Sequence, residues 1–233
     1  MNSGPDRVAG TGQQRPTEVR LAGWALLLAP LLLLTGEVLH PQRSAQPAQQ
    51  LAIVAGHPGM WYASHLLLFA GIALTLPAIA GIAYLLGQRA RRLAVVGTVL
   101  AFVGIVCFAG LLTIGFVVWQ MAGPGADRQQ MAALFGRLFH ATGFVIPFQA
   151  LPLAFAAGMV LLAIGLDRAA AVPRWVALCL GAGATALSLA GIVPGAIYAI
   201  AASAVFAVGM VPIGMLLVTG GAFLPVHRAR AAS

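Results

Sequence analysis

The chain has 233 residues, 61% of them hydrophobic and only 8% charged, with a mean hydropathy of +0.95 and a formal net charge of +8. That composition defines an integral membrane protein whose first partner is the lipid bilayer. All thirteen basic residues are arginine, and they fall in short flanks of apolar runs. Membrane topology accounts for the charge, and nucleic acid is excluded as a partner.

Residues 1–19 mix Gly, Pro, Gln and charge without apolar periodicity and read as a disordered cytoplasmic tail. Residues 20–226 read as one transmembrane domain of six helices, and residues 227–233 as a basic cytoplasmic tail. A helix needs about 20 apolar residues to cross a hydrocarbon layer roughly 30 Å thick. Six runs qualify: Leu21 to His40, Trp61 to Gly87, Leu93 to Trp119, Leu138 to Leu166, Trp175 to Val193 and Ile197 to Leu224. They lack period-two alternation and are too long for barrel strands, so the predicted fold is all-α, a six-transmembrane-helix bundle. Glycines at Gly97 and Gly104, Gly181 and Gly191, and Gly209 and Gly214 predict close helix packing. A competing reading makes the first run a signal peptide cleaved near Ser44-Ala45-Gln46-Pro47-Ala48, leaving five spans. The long tail before Leu21 and the length of the run favour a retained helix.

The first helix ends in Glu37-Val38-Leu39-His40, a carboxylate and an imidazole at i and i+3 on roughly one face. Carboxylate metal sites in helical bundles use that spacing. The plainer reading places both at headgroup level, solvated or paired with Arg43. The loop from Pro41 to Met60 is too short for a domain, and His57 before Pro58-Gly59 reads as an exposed loop residue.

The second helix opens near His65, and Pro77 follows twelve residues later in a Leu-Pro pair. The outer loop after the third helix carries the turn signal Gly123-Pro124-Gly125, then an amphipathic stretch running into the fourth helix. There His140 is followed, again twelve residues on, by Pro152 in a Leu-Pro pair. The match predicts a parallel internal repeat of helices 2-3 and 4-5, with both imidazoles at one depth near the outer face. An intramembrane histidine costs free energy and marks a ligand, a proton path or a polar contact. The plainer reading is two interfacial histidines bonded to backbone or water.

Cys107 and Cys179 lie at depths that differ by roughly 15 Å at 1.5 Å per residue, so both are predicted to be thiols. Val193-Pro194-Gly195 predicts a tight outer hairpin between the last two helices. With six spans, one side holds Arg7, Arg15, Arg20, Arg89, Arg91, Arg92, Arg168, Arg174, Arg228 and Arg230, against Arg43, Arg128 and Arg137 on the other. Both termini are therefore predicted to be cytoplasmic in a multi-pass cell-membrane protein. Trp24, Trp175 and Tyr84 near inner ends, and Trp61, Tyr62, Trp119 and Tyr198 near outer ends, read as aromatic belts.

The layout of helices two to five resembles that of the ascorbate-reducible transmembrane cytochromes b, whose six helices hold one haem between helices two and four and another between three and five. The resemblance implies a b-type haem on His65 and His140 and electron transfer as its role. Helices three and five contain no histidine, which excludes a second bis-histidine haem. A transition metal on His65 and His140, joined by Glu37 and His40, is the related reading. No catalytic residue is assigned: the chain has no Gly-x-Ser-x-Gly, His-Glu-x-x-His, Cys-x-x-Cys or phosphate loop. Ser64, Ser188 and Ser203 have no evident catalytic partner. Two other classes compete: a non-catalytic accessory subunit bound to a membrane partner or to its own copy, and a small-solute transporter built around Pro77, Pro147, Pro152, Pro212 and Gln149.

Overall fold

The computed structural model describes residues 16–190, 193 and 195–220. Arg7, Arg15, Arg228 and Arg230, most of both tails, Gly191, Pro194 and the end of the last apolar run lie outside the described residues. Within them the elements are α1 (Thr17–Leu39), α2 (Pro47–Gly56), α3 (Pro58–Leu86), α4 (Arg91–Met121), α5 (Arg128–His140), α6 (Thr142–Val145), a π-helical turn (Ile146–Ala150), α7 (Leu153–Arg168), α8 (Arg174–Leu189) and α9 (Ala196–Thr219). All are helical, and no strand occurs among the described residues.

Five segments are long and apolar enough to cross a membrane: α1, α3, α4, the broken span Thr142–Arg168, and α9. The fifth apolar run of the sequence forms α8, which has only 16 residues. At 1.5 Å per residue that is about 24 Å, short of a roughly 30 Å hydrocarbon layer. Large apolar side chains such as Leu28, Val106, Leu178 and Ile197 stand exposed on the outside of the bundle, the surface a lipid environment would cover.

The long helices pack as a ring in chain order. α1 lies against α3 and α9, α3 against α4, α4 against α7, α7 against α8, and α8 against α9, while α3 and α7 touch only lightly. Glycine permits the closest approaches. A Cβ at Gly104 would overlap the backbone of Phe155 and one at Gly158 that of Ala101, so α4 and α7 meet almost backbone to backbone. Gly183 against Phe206 and Gly209 against Leu180 do the same for α8 and α9. Leu26, Ile79, Met159, Leu162, Leu180 and Met210, all fully buried, belong to the main core.

A second, smaller core covers one end of the ring. Leu51 and Val54 of α2, Trp61 of α3, Val118 and Met121 of α4, and Phe135 of α5 pack together there. Helix α2 occupies the loop that follows the first run. Helix α5 is the predicted amphipathic stretch, started by Asp127, whose carboxylate accepts from the backbone N–H of Gln129 at 2.9 Å and of Gln130 at 3.0 Å. It does not run straight into the next span: the chain is extended at Ala141, where α5 ends.

The two histidine-to-proline spacings therefore hold different local structures, and the described residues give the internal repeat no support. In the first, His65 and Pro77 lie in one continuous helix, α3. In the second, His140 ends α5, and Pro147 lies within, and Pro152 just after, a π-helical turn in which Leu151 N–H reaches Ile146 C=O at 3.0 Å. Proline removes the N–H that would continue the ordinary ladder, and two of them five residues apart leave the wider π bond in its place.

Candidate functional site

A cavity of about 360 Å³ occupies the middle of the ring, within the range of small-molecule sites. At one end its lining includes the exposed residues Arg43, Ala45 and His140; elsewhere it is walled by the fully buried Thr75, Ser203 and Phe206. Most of the wall is apolar, contributed by α1, α3, α4, α5, α7, α8 and α9. Apart from Thr75 and Ser203, the polar side chains gather toward the exposed end, under α2 and α5.

Three rings meet there. Trp61 and His65, one turn apart on α3, stand with centroids 4.3 Å apart, and His40 lies 4.9 Å from Trp61 and 5.0 Å from His65. Trp61 and His65 are each 5% exposed, so Trp61 packs inside the bundle and not on its outer surface. Its indole N–H donates to the carbonyl of Gly115 on α4 at 2.7 Å. A Cβ at Gly115 would overlap the Nε2 edge of the His65 ring, so this glycine is what lets the imidazole lie against α4.

All three cavity histidines bond through Nδ1 to a backbone carbonyl: His40 to Pro41 at 2.6 Å, His65 to Trp61 at 2.9 Å and His140 to Gly136 at 2.7 Å. A carbonyl oxygen only accepts, so each Nδ1 is the donor in these bonds, and it is Nε2 that is left without a bond to its own segment. Burial first, and the neighbouring Arg43 charge second, push His40 down to about 3 against the opposing effect of the Pro41 carbonyl, with a lesser contribution from His65.

Glu37 and His40 both line the cavity but do not share a helix face. Helix α1 stops at Leu39, and His40 turns extended with φ −70° and ψ 124°. Glu37 instead accepts from Arg43 at 2.8 Å, the pairing the headgroup-level reading predicted. His65 and His140 line the same cavity, but His65 is buried on α3 while His140 is exposed at the end of α5. No cluster of three or more His, Cys, Asp or Glu suited to a metal ion occurs among the described residues. His57, between α2 and α3, is exposed.

Two lining residues carry polar atoms with no partner. Gln50 is 5% exposed; its Oε1 accepts from Ser44 N–H at 2.7 Å, but its Nε2 donor is unmet. Ser203 is fully buried and its Oγ is also unmet. The other two serines of the sequence reading are satisfied by their own helices, Ser64 by Trp61 C=O at 2.9 Å and Ser188 by Ala184 C=O at 3.0 Å. Cys107 and Cys179 are free thiols. Gln50 and Gly115 carry no sequence pattern that would have marked them.

No family model, curated protein or solved structure matches this chain.

Proposed function

We propose that this is a multi-pass membrane protein whose ring of helices holds a small lipophilic molecule, as a carrier or a binding subunit. The observation that carries the reading is the cavity: about 360 Å³, walled by apolar side chains and reached past a polar end. Water gains little in such a space, because it needs two to four polar partners. An apolar body gains contact on every side. The polar group of the ligand would sit by His40, Arg43 and Gln50, and its apolar part would extend toward Phe155 and Phe206.

In this reading α8 completes a sixth crossing. Beyond its last residue, Val193 N–H reaches back to Leu189 C=O at 2.8 Å. Six crossings put both termini in the cytoplasm. Among the described residues the arginines divide as Arg20, Arg89, Arg91, Arg92, Arg168 and Arg174 on that side and Arg43, Arg128 and Arg137 on the other. The cavity then opens toward the outer face.

The direct test is mass spectrometry of the protein released from lipid nanodiscs. The reading predicts one retained lipophilic molecule per chain and its loss in Leu112→Trp, which fills the cavity from α4. Absence of any retained molecule in the unmodified protein would overturn it.

A second reading, one b-type haem or a transition metal on His65 and His140, is favoured by one observation: both imidazoles line the same cavity and each has Nδ1 tied to a backbone carbonyl, the arrangement that orients a ring to ligate through Nε2. As the residues stand they do not fit, because the Nε2 edge of His65 lies against Gly115; ligation would need the ring to leave α4. An optical spectrum and metal analysis decide this reading. A haem band that disappears in both His65→Ala and His140→Ala supports it, and full occupancy in either variant rejects it.

A further inference from the structure

The class of molecule follows from what the cavity leaves unsatisfied, and the inference rests on the ligand-binding reading above. Among the described residues, the only full charges in the lining are Arg43 and Glu37, and they are paired at 2.8 Å. The pair is neutral as a unit and offers neither an anionic nor a cationic head a counter-charge of its own, so an uncharged head fits best. Gln50 Nε2 can only donate, and its amide oxygen is already used by Ser44. Ser203 Oγ is a second free hydroxyl. It lies seven residues into α9, about 10 Å along that helix, whereas Gln50 belongs to α2 at the covered end. Gln50 Nε2 therefore asks for an acceptor, and the Ser203 hydroxyl, which can donate as well as accept, can serve a second acceptor at a different depth.

Its body must be flat. Trp61, His40 and His65 form a ring cluster near Gln50, and Phe108, Phe155 and Phe206 line the cavity beyond it. Offset and edge contacts with such rings favour an aromatic or quinonoid plane over a saturated one. We propose that the cavity takes a lipid-soluble para-quinone, with one carbonyl oxygen accepting from Gln50 Nε2 and the opposite one from Ser203 Oγ. A para-quinone has acceptor-only oxygens on opposite edges of a flat ring and no charge, which meets each of these requirements. The proposal concerns binding and assigns no electron transfer to the chain.

The test uses the detergent-solubilised full chain and two probes of nearly equal shape, 2-methyl-3-propyl-1,4-naphthoquinone and 2-methyl-3-propylnaphthalene, with affinity read as competition against a lipophilic fluorophore. The quinone should bind about tenfold tighter than the hydrocarbon or better, as expected for hydrogen bonds to otherwise unmet donors. Ser203→Ala removes one donor with little change in volume. Gln50→Glu keeps the oxygen bonded to Ser44 and replaces the donor. Each should weaken the quinone roughly five- to tenfold and leave the hydrocarbon unchanged. Equal affinity for the two probes, or quinone affinity untouched by both substitutions, overturns the quinone assignment while the cavity reading stands. Failure of both probes to compete overturns the two together.

Discussion

The imidazole of His65 lies against α4 where residue 115 has no side chain, and the carbonyl of that same Gly115 accepts the indole N–H of Trp61 at 2.7 Å. One glycine thus receives two buried residues one turn apart on α3. Gly115→Ala should push the ring from its place and cost about 1–3 kcal/mol, the range for overpacking a filled site. Thermal unfolding in detergent checks this, and an unchanged midpoint would contradict it. Trp61→Phe, which loses only the N–H donor and leaves the carbonyl of Gly115 unmet, should cost less, about 1 kcal/mol.

The ion pair between Glu37 and Arg43 should respond asymmetrically to substitution. The Glu37 side chain is 9% exposed and that of Arg43 34%. Arg43→Met strands a carboxylate that has little water and should cost about 2–3 kcal/mol, less than for a fully buried pair because solvent reaches the arginine. Glu37→Gln leaves an arginine that can swing its head to solvent and should cost about 1 kcal/mol or less. Unfolding midpoints of the two single variants measure the difference, and equal losses would contradict the burial argument.

His40, pushed down to about 3 by burial and by Arg43, should stay uncharged through the physiological range. An imidazole free in the unfolded chain binds its proton near 6.5. Between about 6.5 and about 3 the unfolded state therefore holds more protons than the folded one. Stability from this group is complete above 6.5 and is lost progressively as pH falls through that window. Nuclear magnetic resonance of the His40 ring should detect no titration from pH 8 to pH 5, and a midpoint near 6.5 would contradict the burial.

Topology gives a separate check. A cysteine at Ala126, in the connection before α5, should react with an impermeant maleimide added outside cells in a background lacking Cys107 and Cys179. One at Gln88, between α3 and α4, should react only after the membrane is opened. The reverse pattern would invert the protein and turn the polar end of the cavity to the cytoplasm.

The sequence carried the helical class, because runs of about 20 apolar residues in a chain with so few charges have no other stable form in lipid. It misplaced detail where two local rules competed. The Leu138 to Leu166 run reads as one apolar helix, yet the chain is extended at Ala141 and the ladder widens beside Pro147 and Pro152, so hydropathy hid a break that the prolines already marked. His65 was legible as a rare intramembrane imidazole, and so was the Glu37 to Arg43 pairing. His140 matched it in spacing alone, because a count of residues cannot report that the helix between them is interrupted. Gly115, Gln50 and the burial of Trp61 were not legible: each acquires its role from a helix distant in sequence, which no periodicity along one segment encodes.

The central claim is that the ring encloses a ligand site, and a crystal structure of the protein grown from a lipidic mesophase tests it most directly. The account predicts continuous, non-protein density of flat cross-section inside the cavity, with one end within hydrogen-bonding distance of Gln50 Nε2. A cavity closed by inward-turned side chains, or one holding only discrete waters bonded to Gln50 and Ser203, would contradict it.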